Sequence, residues 1–270
     1  MNATTNEIQA AKAFTRQSVL FDDIYSNDAI IQYKRERVRQ HVKKFLAPGA
    51  HILELNAGTG EDAIFFAEQG YTVHATDISG GMLDKLSQKV TAKELDHKVT
   101  HELCSYTSLD NLIEKGPYDQ LFSNFAGLNC TDQLDKVLSS LSPLIKTGGV
   151  VTLVILPKFC LWEFLLIGKG KVRTALRRFT GKKGTVAHVQ GEYFTCWYYN
   201  PSYVIQHMKN DFTLLALEGL CAIVPPSYMT HFAEKHPQVF RFLRRLENRL
   251  RSRWPWRSIG DYYIISFRRK

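Results

Sequence analysis

The chain has 270 residues, 44% hydrophobic and 23% charged, a composition that excludes a disordered or fibrous protein. Its five cysteines form no CxxC pair and its first residues are polar, which predicts a reducing, cytoplasmic setting without a disulfide framework. The net charge of +9 is divided: residues 1–156 hold 15 Lys+Arg against 19 Asp+Glu, residues 157–200 hold 8 against 2, and residues 231–270 hold 11 against 3. Charge localised in this way concerns a partner or a substrate, or a solvated basic helix face, rather than solubility alone.

In chain order, residues 7–20 read as a short helix. Ser26, Asn27 and Asp28 form an N-cap cluster for a second helix over residues 29–46, with Ile31, Val38, Val42 and Phe45 on one face. Pro48 and Gly49 stop it. A regular alternation follows: strands at 51–56, 71–77, 98–104, 118–124 and 150–156, with helices at 61–69, 79–93 and 131–141 and a short one after residue 104. This spacing predicts a parallel sheet covered by helices on both faces. Beyond residue 156 the rhythm breaks. Residues 157–200 run from apolar to basic to aromatic. A helix from Pro201, a strand around 212–224, a long basic helix over 228–253 and a closing strand at 261–267 complete the chain. The longest apolar run, residues 150–167, is interrupted by Pro157, Lys158 and Glu163, so a spanning helix is not expected.

The sharpest signal is the stretch from Glu54 to Ala63, which contains Asn56, Ala57, Gly58 and Gly60 between a strand and a helix. Glycines there let the backbone approach a ligand at a helix N-terminus. Asp77 ends the next strand, where a carboxylate accepts from both ribose hydroxyls. Gly58-x-Gly60-x-x-Ala63 satisfies the NAD fingerprint as written. No Walker loop and no nucleophile elbow is present. His97 and His101 are four apart, but the strand predicted at 98–104 puts them off a shared helix face, and no acid or cysteine completes a set, so no metal site is expected.

The run Glu54-x-Asn56-x-Gly58-x-Gly60, with Asp77, a loop residue at Ile78 or Met82, a fourth strand ending at Asn124 and Phe125, and Gly148-Gly149 before strand five, resembles the class I S-adenosylmethionine-dependent methyltransferases. The resemblance covers about residues 30–156 and the last strand. It implies one methyltransferase domain over residues 1–270: a doubly wound α/β, Rossmann-like, seven-stranded and mostly parallel sheet with an antiparallel last strand. Residues 1–47 would form N-terminal helices, and residues 157–200 a substrate cap inserted after strand five. The implied cofactor is S-adenosyl-L-methionine, held by Glu54, Asn56, Ala57, Gly58 and Gly60, by Asp77 at the ribose, and by Ile78 and Met82 at the adenine. Asn56 replaces the commonest first glycine. The acid usual after strand three is absent, and Ser105 or Tyr106 stands in its place. Tyr25, with Phe21 and Arg37 nearby, would close the site from the N-terminal side.

The nucleophile would lie near Asn124. The Asn-Pro-Pro-Tyr motif of amino-methylating nucleic-acid and glutamine enzymes is missing, since Phe125, Ala126 and Gly127 follow Asn124. His188 and Tyr193 in the insert are candidate bases; each also reads as a surface or packing residue. Trp197, Tyr198 and Tyr199 read as core or as pocket. The expected acceptor is a small molecule, acidic or amphiphilic, met by the basic segments. The alternatives are RNA held by those segments, and a non-catalytic binder. The predicted C-terminal helix carries an apolar stripe of Val239, Phe242, Leu243, Leu246 and Leu250 beside six arginines, a pattern that also suits a membrane surface.

Overall fold

The computed structural model describes residues 4–26 and 28–270, and at residues 25 and 26 the backbone alone. Helix α1 (Thr5–Ser26) is longer than the predicted one. It starts with a capping box: the Thr4 hydroxyl accepts from Glu7 N at 3.2 Å, and Glu7 Oε2 accepts from Thr4 N at 2.8 Å. Helix α2 (Ala29–Lys43) is capped by Asp28, whose Oδ1 accepts from Ile30 N and Ile31 N, as the cluster at its start predicts.

The alternation that follows is β1 (His51–Leu55), α3 (Glu61–Glu68), β2 (Thr72–Asp77), α4 (Gly80–Ala92), β3 (Val99–Leu103), β4 (Tyr118–Ser123), α5 (Leu134–Ser139) and β5 (Ile145–Ile155). Next come α6 (Leu161–Leu165), α7 (Val172–Leu176) and a hairpin of β6 (Thr185–Val189) and β7 (Glu192–Cys196). Then α8 (Pro201–Met208), β8 (Phe212–Leu220), α9 (Phe232–Lys235), α10 (Pro237–Leu250) and β9 (Tyr262–Arg269) close the chain. The predicted 228–253 helix is two pieces, because Pro237 cannot continue a helix from α9 and instead starts α10. The predicted strand to residue 224 ends at Leu220, and the helix predicted at 131–141 shrinks to α5.

The seven strands order as β3-β2-β1-β4-β5-β9-β8. Strands β1 to β5 pair in parallel, and β9 runs antiparallel between β5 and β8. Strand order reverses between β1 and β4, the position at which open α/β sheets bind ligands beyond the strand C-termini. Side chains alternate across the sheet, apart from register shifts where β4 pairs with β5 and β8 with β9. Leu53, Leu55, Leu121, Val151 and Leu153 pack on α5 and α8, while Ile52, Phe122 and Val154 pack on α2 and α3. Both faces are therefore covered and the strands read as apolar runs. A third cluster docks α1, through Ala10, Ala13 and Phe14, on the hairpin residues Ala187, Val189, Phe194 and Cys196.

Helix α10 docks by a face rotated from the predicted stripe, sharing Leu243 with it. Phe240 and Glu247 are buried, whereas Val239 and Phe242 are exposed. Glu247 explains the rotation: it accepts from the Tyr33 hydroxyl at 2.8 Å and from the backbone N–H groups of Cys221, Ile223 and Val224. No helix among the described residues is long and apolar enough to cross a membrane.

Candidate active site

The turn after β1 is built from left-handed residues: Asn56 at φ 48°, Gly58 at 57° and Gly60 at 79°. Asparagine tolerates this region better than other side chains, and Asn56 uses its amide. Its Nδ2 donates to Asn124 O at 2.8 Å, and its Oδ1 accepts from Ser123 Oγ at 2.7 Å. The amide fills the space beside Gly127, where any Cβ would clash with it. The departure from glycine at this position thus braces the turn after β1 against the loop after β4. A Cβ on Gly58, by contrast, would meet no protein atom within 4 Å.

Asp77 closes β2 over the same turn. Its Oδ2 accepts from Gly58 N at 2.9 Å and its Oδ1 from Ser79 N at 2.8 Å. Burial raises its pKa, and these backbone hydrogen bonds, with one from Ile78, pull against that rise. Across the crevice, Phe125 and Ala126 follow β4 with φ of 42° and 65°. Such a conformation costs energy for a bulky side chain and persists only where its surroundings hold it. Asn124 holds it, with Oδ1 accepting from Phe125 N and Nδ2 donating to Asp62 Oδ2 at 2.7 Å. The Asn124 side chain is therefore committed to shaping the loop.

Between these loops lies a cavity of about 240 Å³. Of the residues expected from sequence, Glu54, Asn56, Ala57, Gly58, Asp77, Ile78, Met82, Tyr106, Asn124 and Phe125 all line it, as does Phe21. Gly60 shapes the turn from behind, where a Cβ would strike Leu86. Four expectations are corrected. Arg37 points away and pairs with Glu218 at 3.1 Å in a buried cluster with Lys44 and Arg251; the lining arginine is Arg35, two residues earlier on α2. Ser105 turns inward to cap the turn after β3, leaving Tyr106 at the wall. His188 and Tyr193 face each other across the hairpin with ring centroids 4.4 Å apart, both on its exposed side. The period of two sends their neighbours Phe194 and Cys196 toward the cavity instead. The Tyr25 side chain lies outside the described residues. Tyr198 and Tyr199 are buried, and Trp197 packs against the same core as Tyr199, so this trio lines none of the cavity.

The residues missed by sequence reasoning come mostly from α1 and the insert: Glu7, Ala10 and Phe14, then Cys130, Phe194 and Cys196. Glu7 has a signal of its own, the Thr4–Glu7 capping box, but nothing in the sequence says that it is buried. It is 1% exposed; Oε2 takes the capping bond and one from Thr107 Oγ1 at 3.0 Å, while Oε1 is buried with no partner. Glu54 Oε2 and Arg35 Nε are in the same condition. Burial and then Asp62 push the Glu54 carboxyl well above its ordinary range.

The wall is rich in acids: Glu7, Glu54, Glu61, Asp62 and Asp77 line it, and Arg35 is the one lining cation among the described residues. Arg35 pairs with Glu61 at 2.8 Å, and Arg39 with Asp62 at 2.6 Å. Glu7, Glu54 and Asp77 form no salt bridge among the described residues, although Arg39 and Arg35 lie near enough to Glu54 to oppose the rise of its pKa. None of the basic residues of the insert reaches the cavity. Cys130 and Cys196 meet thiol to thiol at the wall; the hydrogen bond with Cys196 and burial raise the Cys130 pKa well above that of a free thiol. Another grouping, Cys160, Glu163 and Asp261, brings three ligand-type atoms within 4.8 Å of one another. Its carboxylates are already bridged by Arg178 at 2.6 and 2.7 Å, so its centre is occupied by a guanidinium.

Residues 52–149 match the family model described as a methyltransferase domain. That match and the observed strand order, β3-β2-β1-β4-β5-β9-β8, agree in placing a methyltransferase-like fold in this part of the chain. Similar solved structures include magnesium protoporphyrin IX methyltransferase from Synechocystis PCC 6803 with bound SAM, at 13% identity and a TM-score of 0.59, covering 100% of both chains. Another is the 1,6-didemethyltoxoflavin-N1-methyltransferase of Burkholderia thailandensis with its substrate and S-adenosylhomocysteine bound, at 14% identity and a TM-score of 0.56, covering 100% of this chain and 92% of that one. The cyclase SpnF matches at 13% identity and a TM-score of 0.64, covering 98% and 96%. At these identities the likeness is one of fold. No curated protein matches the chain in sequence.

Proposed function

We propose that this chain is an S-adenosyl-L-methionine-dependent methyltransferase acting on a small-molecule acceptor. The observation that carries the reading is the set of buried, unpartnered atoms on the cavity wall. A buried polar atom without a partner costs free energy. Here the orphans are two carboxylate oxygens, from Glu7 and Glu54, and one guanidinium nitrogen, from Arg35. A ligand with an ammonium group, an aromatic amine and a carboxylate satisfies both kinds. Glu54 would face the ammonium and Arg35 the carboxylate, Asp77 would take the ribose hydroxyls, and Ile78, Met82 and Tyr106 would enclose the adenine. Glu7, tied to Thr107 just past Tyr106, would supply from α1 the acid that is missing after β3. When bound, the cofactor supplies a methyl group already activated on a sulfonium.

The chain's own contribution is then chiefly positioning. Alignment of a nucleophile with the methyl carbon accounts for much of the barrier reduction in such displacements. Ala10, Phe14, Cys130, Phe194 and Cys196 offer the acceptor an apolar wall, and the acid-rich lining disfavours an anionic acceptor at the reacting end. This supports the amphiphilic form of acceptor over the acidic one. The RNA reading is weakened because none of the insert's basic residues lines the cavity. Five free thiols suit a reducing setting such as the cytoplasm.

A second reading keeps the cofactor and drops the transfer. It is favoured by the likeness to a cyclase, since one fold hosts several reactions. Calorimetry with S-adenosylhomocysteine and with NAD tests the cofactor, and incorporation of labelled methyl into extracts tests turnover. Binding of S-adenosylhomocysteine and not of NAD, with label in a small molecule, is the expected result. Binding of NAD alone sinks both readings, and binding without any label favours the second.

A further inference from the structure

The insert has an inner and an outer side. Its inner side supplies Phe194 and Cys196 to the cavity wall. Its outer side carries Phe164, Leu165, Ile167, Val172, Leu176 and Phe179, all exposed; Leu165 and Phe179 are 56% and 53% accessible. Single exposed apolar residues are ordinary on a protein surface, but a contiguous patch is not. The rings join its two ends: Phe164 and Phe179 both pack on Phe159, with centroids 5.5 and 6.5 Å away, and the other four exposed apolar residues lie in the chain between them.

The charge of this segment is equally one-sided. Residues 164–191 contain seven Lys and Arg and no Asp or Glu. Lys169, Lys171, Arg173, Lys182 and Lys183 are exposed, and no carboxylate among the described residues pairs with any of them. The nearest acid in sequence, Glu163, is buried and engaged by Arg177 and Arg178. Arg178 also donates to the Asp261 carboxylate and to the carbonyls of Pro157 and Asp261. That buried arginine fixes the segment to the start of β9, so the patch is preformed and has a fixed orientation.

We infer that this outer face, residues 164–183, docks on the surface of an anionic phospholipid bilayer. Large apolar side chains amid unpaired lysines, on helices too short to span, form an interfacial rather than a spanning element. The apolar side chains would enter the acyl boundary while the lysines meet the headgroups, each basic residue adding about fivefold to the partition. Helix α10 is the competing basic surface and fits less well. Its exposed apolar residues are Val239 and Phe242 alone, and Arg244 and Arg251 are already paired with Glu36 and Glu218. The inference does not depend on the reaction performed in the cavity.

Co-sedimentation of the full chain with phosphatidylcholine vesicles, and with vesicles also containing phosphatidylglycerol, tests it. The protein should pellet with the second kind only, and release as salt screens the exposed charges. A Lys169→Glu, Lys171→Glu, Arg173→Glu variant should lose on the order of a hundredfold in partition. Leu165→Gln with Phe179→Gln should lose about tenfold or more, through the apolar contribution. Arg241→Glu with Arg245→Glu, on α10, should change little. Wild-type protein that ignores phosphatidylglycerol overturns the inference without recourse to any variant. So does an α10 variant that alone abolishes pelleting, or single-stranded RNA that binds more tightly than vesicles through the same lysines. A dimer in light scattering that Leu165→Gln with Phe179→Gln converts to monomer would assign the patch to a second copy and overturn it as well.

Discussion

The wall of the cavity and the outer face of the insert have opposite chemistry. The wall gathers five carboxylates around one arginine. The insert's outer face gathers lysines, arginines and large apolar side chains with no acid among residues 164–191. Composition separates an acidic first half from a basic insert but assigns the insert's charge to the acceptor site. The fold separates them, because a hairpin with a two-residue period sends Phe194 and Cys196 inward and leaves His188 and Tyr193 outside. Net charge in a segment therefore says what the segment's surface meets, and not what a cavity behind it holds.

The largest expected effect comes from breaking the joint between the two regions. Arg178 is 2% exposed and bridges Glu163 to Asp261. Burial by itself would raise the Glu163 carboxyl, but hydrogen bonds from Arg177 and Arg178 hold it below its ordinary range. Arg178→Ala leaves two buried carboxylates without their shared cation and should cost about 3–5 kcal/mol in a denaturant melt. The sign with pH follows. A lowered carboxylate pKa contributes stability above its unfolded value, and that contribution fades as pH falls through the folded value. The wild type should thus weaken on acidification through that window more steeply than the variant. A melt unchanged by the substitution would mean that the insert is not anchored by this cluster.

Next in size is the turn after β1. Gly58→Val places a β-branched side chain at φ 57° on the cavity wall, where a Cβ meets no protein atom within 4 Å. Left-handed backbone costs such a residue on the order of 1–2 kcal/mol, so some loss of stability is expected. The larger loss should be in affinity for S-adenosylhomocysteine, about a hundredfold or more by calorimetry. Full affinity in the folded variant would move the ligand away from this turn.

Glu7 sharpens the contrast from the acidic side. Removing its charge while keeping its shape, as Glu7→Gln, should weaken S-adenosylhomocysteine by about tenfold, the order expected for a hydrogen bond to a charged group. S-inosylhomocysteine carries an oxygen in place of the adenine amine. Wild type should reject it, and the variant should discriminate much less. Equal discrimination by both proteins would return Glu7 to a purely capping role.

How far these features were legible in advance follows from their range in sequence. The strand–helix alternation, the turn at Asn56 to Gly60 and Asp77 were legible because each is written in a local period or a glycine at a fixed offset, whereas the antiparallel direction of the last strand followed only from the resemblance. The α2 cap at Asp28 was legible for the same reason. Arg37 was chosen where Arg35 lines the wall: positions two apart on a helix face nearly opposite ways, about 200° apart, and the apolar pattern of α2 does not say which side meets the cavity. Glu7 and Cys196 come from segments far apart in sequence, and only the docking of α1 on the hairpin brings them to one wall. The apolar stripe of α10 misled because Glu247, a charged residue, occupies the docking face in order to satisfy four donors.

The smallest expected effect tests the separation of inside from outside most directly. His188 and Tyr193 stack on each other on the exposed side of the hairpin, and Tyr193 is 61% accessible. A base must come within hydrogen-bond reach of the proton it removes, and these two groups lie on the strand face that does not line the cavity. His188→Ala and Tyr193→Phe should therefore change S-adenosylhomocysteine affinity by less than about twofold. Cross-strand aromatic pairs are worth roughly 0.2–1 kcal/mol, so the melt should shift only slightly. Once an acceptor is found, the pH–rate profile should keep its shape in both variants. Loss of the acidic limb of that profile, where a protonated base limits the rate, in His188→Ala alone would mean that the hairpin turns over during the reaction, and that the two sides of the insert are not fixed as they are in this structure.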